Sequence, residues 1–109
     1  MTSWAVDVRI GSEAAWIETS SGRAHLPPRS PLRRVLLFLA KSRLERPGET
    51  VSIADVFAAA WSERALPGAA ANRVKVAINT LRRAGLKDAL ETVGRGYRLS
   101  PEMSLLLED

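Results

Sequence analysis

Between residues 72 and 99 the chain changes its apolar repeat from that of a helix to that of a β-hairpin, and little else can be built from such a segment. Val74, Ala77, Ile78 and Leu81 follow the i, i+3, i+4, i+7 spacing that places four side chains on one helical face, which must look into a core. Gly85 is a natural stop. Leu90 to Val93 and Tyr97 to Leu99 then read as strands around Gly94-Arg95-Gly96, a tight turn with permissive backbone at two positions. With 109 residues there is room for one domain and one modest core, and with no cysteine there is no disulfide or thiolate metal site to support it.

The preceding residues supply the remaining elements. Trp4, Val6, Val8 and Ile10 alternate with Ala5, Asp7 and Arg9, the period-two pattern of a half-buried strand. Ala15 to Thr19 and Arg23 to Leu26 predict two more strands, separated by the turn signal Ser20-Ser21-Gly22. Ser30-Pro31 opens a first helix, a serine cap followed by a proline whose missing N–H costs nothing at that position. Leu32, Val35, Leu36 and Leu39 form its apolar stripe, with Arg43 in line. Ser52 caps a second helix with Asp55 three residues on, and Ile53, Val56, Phe57, Ala60 and Trp61 are its apolar set. Leu66-Pro67-Gly68 reads as a loop and the third helix as beginning near Ala71. Pro101 ends the last strand. The order is α+β: a small antiparallel sheet, three helices and a C-terminal hairpin over residues 1–101, then a tail, 102–109, in which Leu105-Leu106-Leu107 sit between acids.

Charge is concentrated rather than spread. From Arg64 to Arg98 there are eight Lys/Arg against Asp88 and Glu91, a balance of +6 in a chain whose total is +4. With a pI near 10.3, this points to a polyanion, nucleic acid before an acidic membrane surface. No apolar run approaches the ~20 residues of a membrane span. The start, Met1-Thr2-Ser3-Trp4, lacks the regions of a secretory signal, so a cytoplasmic location is expected. Projected at about 100° per residue, the third helix turns Asn72, Val76, Asn79 and Arg83 away from the core, flanked by Lys75 and Thr80. Asn can pair with adenine, Lys and Arg with guanine or phosphate, and Val76 can meet a thymine methyl. Arg95, at the tip of the hairpin, suits the narrow minor groove of A·T-rich stretches.

Catalysis finds no footing in these residues. His25 is the lone histidine, Ser30 and Ser52 are better explained as caps, and the carboxylates are scattered. Gly94-Arg95-Gly96 is followed by a strand where a phosphate cradle needs a helix. No cofactor is implied.

In this order and with these motifs, the chain resembles the OmpR/PhoB-type winged-helix DNA-binding domain of bacterial response regulators. The family shows a V-x-V-x-I-x-x-L-R run and then T-V-R-G-x-G-Y-R. Here these are Val74, Val76, Ile78, Leu81 and Arg82, then Thr92-Val93-Gly94-Arg95-Gly96-Tyr97-Arg98, and Trp61 matches the tryptophan ending the family's second helix. The resemblance implies that the third helix enters the major groove, with Val76 on a thymine methyl. It places Arg73, Arg82 and the Trp61 indole N–H near phosphates, offers the Thr92 and Tyr97 hydroxyls to the backbone, and sends Arg95 to the minor groove. Phosphate contacts of this kind position a domain without reading sequence.

Asn72, Asn79 and Thr80 stand where family members often carry arginines, and Lys75 where they carry an acid, so the operator does not carry over. The wing is one residue shorter than the common pattern. In the family, the loop between the second and third helices contacts RNA polymerase; the matching loop here is Ser62 to Ala71. Head-to-tail pairing on direct repeats is also implied. One such fold uses up these residues and leaves none for a receiver domain, which fits both a part of a larger regulator and a free-standing effector. The rival reading is a winged helix that binds protein instead of DNA, favoured by the replaced arginines and the apolar tail.

Overall fold

Two serines set the helical part of the fold. The Ser30 hydroxyl accepts the Leu32 amide at 3.0 Å with Pro31 in the first turn, and α1 runs Pro31–Glu45. Ser52 accepts the Asp55 amide at 3.1 Å and opens α2, Ile53–Ala60. Each cap satisfies an amide that has no partner within its helix. At the other end of α2, Arg34 of α1 donates from Nε to the Ala60 carbonyl at 2.6 Å, so the first helix closes the second. The computed structural model describes residues 6–108; Trp4, read into the first strand, lies outside them.

The third helix is longer than the sequence pattern indicates. α3 spans Pro67–Leu81, not a helix from Ala71, and Pro67 sits in its first turn as Pro31 does in α1. Leu66-Pro67-Gly68 has the punctuation of a loop, but a proline in the first turn lacks only an N–H that the helix does not use. Gly68 through Ala71 are small residues that follow without hindrance. The connection to α2 is therefore confined to residues 61–66, and the polymerase-contact loop expected over Ser62 to Ala71 is corrected to Ser62 to Leu66. After Leu81 a wide π-type turn, Arg82–Leu86, runs until Gly85 adopts a φ of +133°, a conformation open to glycine.

Seven strands flank the helices: β1 Val8–Ile10, β2 Trp16–Thr19, β3 Gly22–His25, β4 Val51–Ser52, β5 Leu90–Val93, β6 Gly96–Leu99 and β7 Leu105–Leu107. They form a four-stranded sheet in the order β3-β2-β1-β7 and a three-stranded sheet in the order β4-β6-β5. The expected N-terminal antiparallel sheet comprises β1 to β3, but it is completed by β7, which pairs parallel to β1 with Val8 opposite Leu105. Residues 105–107, set apart above as tail, are thus a strand of the domain. Arg43 on α1 holds the path to that strand, donating to the carbonyls of Ser100 at 2.9 Å, Pro101 at 3.3 Å and Met103 at 2.6 Å. Its place on the apolar stripe is explained: its stem covers apolar surface while its head caps backbone.

The core lies where the helices meet both sheets. Ile10 and Ile17 come from the first sheet, Val35, Leu36 and Leu39 from α1, and Val56 from α2. Val74, Ile78 and Leu81 come from α3 and Leu99 from β6, all sealed from solvent. Truncating Leu81 to alanine is expected to cost about 3–4 kcal/mol, measured by denaturant unfolding, because a sealed leucine leaves a cavity its neighbours only partly fill.

Candidate nucleic-acid interface

The phase of α3 follows from which of its faces is apolar. Val74, Ala77, Ile78 and Leu81 are buried against the rest of the domain, which turns Asn72, Arg73, Lys75, Val76 and Asn79 outward. Val76 is 56% exposed, an apolar side chain standing in water on an otherwise polar face. Thr80 is half-buried and donates its hydroxyl to the Val76 carbonyl at 2.9 Å, a bond back along its own helix that leaves the oxygen free to accept. Arg73 is paired with Glu63 from the loop before α3.

The wing is joined to the end of this helix by one side chain. Arg82 donates to the Leu90 carbonyl from Nε at 3.0 Å and from Nη2 at 2.9 Å, and Nη2 also reaches the Thr92 hydroxyl at 2.8 Å. A guanidinium is planar and its donors are fixed in direction, so this fork sets the position of β5 relative to α3. It leaves the Arg82 Nη1 without a protein partner among the described residues. The Thr92 hydroxyl, exposed on β5, accepts from Arg82 and keeps its own proton to donate.

The hairpin turn is tighter than the glycine pattern indicates. Val93 pairs with Gly96, so the turn is the two residues Gly94-Arg95, and Gly96 belongs to β6. Only Gly94 has a positive φ, +59°, the arrangement of a glycine-first two-residue hairpin turn. Gly96 is glycine for another reason: a Cβ there would lie 2.4 Å from the Val51 carbonyl oxygen of β4. Arg95 stands exposed at the tip, beside the partly exposed Val93.

Trp61 follows α2 directly, stacked on Phe57 with ring centroids 5.2 Å apart and planes at 11°. Its indole N–H donates to no protein group among the described residues. Tyr97 is 9% exposed, its ring packed into the core cluster beneath the wing.

The charges fall into three sets. Arg33, Arg34, Arg43, Arg82 and Arg98 donate to backbone carbonyls and hold the fold together. Arg9, Arg23, Arg46 and Arg73 pair with carboxylates. Seven cations pair with neither among the described residues: Arg29 and Lys41 lie before and on α1, but Arg64, Lys75, Arg83, Lys87 and Arg95 lie on the stretch from the loop before α3 to the wing. Most of the uncompensated charge is therefore gathered on that stretch. Arg83 and Lys87 share a shallow depression of about 400 Å³ with Asn79 and Arg82. Lys87 reaches this depression only after the break at Gly85, so its place beside Asn79 follows from the fold and not from spacing along the helix.

A helix-turn-helix packed on a core, with a hairpin fixed to the end of its second helix and a sheet before it, is a winged-helix domain. The structure is similar to the DNA-binding domain of the response regulator AdeR, solved in complex with an intercistronic region, with a TM-score of 0.61 over 88% of this chain and 96% of that one. The sequences are 16% identical, so the likeness is one of fold. No family model and no curated protein matches the sequence.

Proposed function

We propose that this domain binds double-stranded DNA in a sequence-dependent manner, as the effector part of a bacterial transcriptional regulator of the OmpR/PhoB type. The observation that carries the proposal is the grouping of unpaired cations on α3, the turn after it and the wing tip, around an exposed valine that solvent alone does not explain. In this reading α3 lies in the major groove. Asn72, Lys75, Val76, Asn79 and Thr80 face base edges, Val76 meets a thymine methyl, and Arg83 takes a phosphate or guanine. Arg73, the free edge of Arg82, the Trp61 indole and the Thr92 and Tyr97 hydroxyls bind backbone, and Arg95 enters the minor groove. The AdeR domain, with the same fold, was solved with DNA, which supports the assignment.

Titration of a labelled duplex, followed by anisotropy, tests it. Binding is expected at micromolar protein and about 50 mM salt, and to fall by about two to three orders of magnitude by about 200 mM if roughly five phosphates are neutralised. Absence of any binding at the lower salt overturns the reading. Selection from randomised duplexes is expected to return a motif that Val76→Lys changes with little effect on the melting temperature, because that side chain is exposed on the outer face of α3. Glu63 competes with phosphate for Arg73, so Glu63→Gln is expected to tighten binding about two- to fivefold, the worth of an exposed ion pair.

One observation favours a protein contact in addition. Leu66, just before α3, is 79% exposed beside Arg64, in the loop where the resemblance places RNA polymerase. An apolar side chain so open suits a partner surface, and Leu66→Ser is the variant that separates activation from DNA binding. Head-to-tail pairing on direct repeats belongs to the same proposal and is read from the spacing of the selected motif.

A further inference from the structure

The duplex surface described so far stops at Arg83, but the positive charge continues. After Leu81 the wide turn Arg82–Leu86 carries the chain on before it breaks, and this brings Lys87 beside Asn79 and Arg83 around one depression. Asn79 and Arg83 are about one helical turn apart, and the chain reversal at Gly85 brings Lys87 round to the same depression. The walls of that depression hold an amide and three cations and no carboxylate. Arg82 points most of its donors at Leu90 and Thr92, so it adds charge without being free to move. Arg83 and Lys87 are both exposed and pair with no carboxylate among the described residues. The neighbouring acid, Asp88, lines an adjoining hollow that Arg82, Arg83 and Lys87 also line, on the side toward Thr19 and Ser21. It forms no ion pair with Arg83 or Lys87, so both cations keep their donors for a ligand.

We infer that Asn79, Arg83 and Lys87 form a seat for a DNA backbone phosphate flanking the groove that α3 enters, with Lys87 as its outer cation. The inference rests on the DNA-binding reading and extends its footprint beyond α3. The depression is shallow and open, so a free anion keeps its water there and is held weakly. A phosphate on a duplex already engaged by α3 arrives at high effective concentration and needs no enclosed site. The amide of Asn79 donates to the phosphate oxygen while the two cations neutralise it.

The test is the salt dependence of duplex binding by the whole chain, for wild type, Lys87→Ala, Lys87→Arg and Lys41→Ala, the last removing an exposed charge on α1. Lys87→Ala leaves Arg83 on the same phosphate, so it is expected to lower the slope of log affinity against log salt by up to about 0.9, the worth of one phosphate contact, and to weaken binding by up to about eightfold at ~0.1 M salt on every sequence. Lys87→Arg and Lys41→Ala are expected to keep the wild-type slope. Wild-type affinity for Lys87→Ala, or an equal loss for Lys41→Ala, overturns the seat while leaving the DNA-binding reading in place. Failure of the wild type to bind any duplex overturns both. Replacing chloride by inorganic phosphate at matched ionic strength is expected to leave binding unchanged; a loss confined to proteins that retain Lys87 shows free phosphate competing with the duplex for the seat and overturns the statement that a free anion is held weakly there.

Discussion

Gly96→Ala is expected to cost the fold about 3 kcal/mol and to lower its melting temperature by about 12 °C or more. The added Cβ would lie 2.4 Å from the Val51 carbonyl oxygen and 2.6 Å from the Thr50 methyl. A flexible side chain would swing aside, but the nearer atom is backbone. Gly96 lies in the central strand of its sheet, opposite Ser52 on one side and Val93 on the other. Relief therefore requires either loss of the β4 pairing or displacement of β6, which carries Tyr97 and Leu99 into the core. The contrasting variant is Gly94→Asn at the turn. A Cβ there meets nothing within 4 Å, so only the backbone strain of a side chain at a φ of +59° opposes it and a smaller loss is expected. Thermal melts of the two variants check the argument: if Gly96→Ala melts within about 2 °C of the wild type, the close approach of β4 and β6 is wrong.

The second large effect is on binding. Each phosphate contact multiplies duplex affinity by roughly eight at ~0.1 M salt, through release of counterion. Lys75 on α3 and Arg95 on the wing tip pair with no carboxylate among the described residues, so reversing both removes two favourable contacts and adds two repulsive ones. Lys75→Glu with Arg95→Glu is expected to weaken binding by about a hundredfold or more, while thermal stability stays near that of the wild type because both side chains are exposed. Anisotropy titrations at fixed salt read the loss. If affinity falls less than about tenfold, these two residues do not face the same ligand.

The elements most legible in the sequence are those whose signals are local. Ser30 and Ser52 announce their helices because a hydroxyl oxygen before an apolar stripe satisfies the first free amides, and both are caps here. The outward phase of α3 was readable because four apolar residues at helical spacing leave no choice about which face is buried. What escaped depends on distant partners or on context. β7 pairs with a strand at the other end of the chain, and β4 is two residues long and exists because β6 runs beside it. Pro67 carries the same signal as Pro31, yet no serine precedes it; Leu66 offers no side-chain cap, so the helix start had no marker but the proline. Within the candidate site, the identities of the outward residues were visible, but their engagements were not. That Arg82 forks onto Leu90, that Arg73 rests on Glu63, and that Lys87 comes round to Asn79 are facts of three-dimensional neighbours. Sequence spacing ranks such residues as exposed cations and gives no means of telling a structural arginine from a free one.

The central claim is that the outer face of α3 and the turn at Arg95 make up a single surface that meets duplex DNA. Amide chemical-shift mapping on the isotopically labelled chain, with unlabelled duplex added at low salt, measures this residue by residue. The account predicts perturbations running from Asn72 through Lys87 and reappearing at Thr92 to Tyr97, with β1, β2, β3 and β7 largely unmoved. Shifts centred on the four-stranded sheet, or confined to the wing with α3 silent, would contradict it.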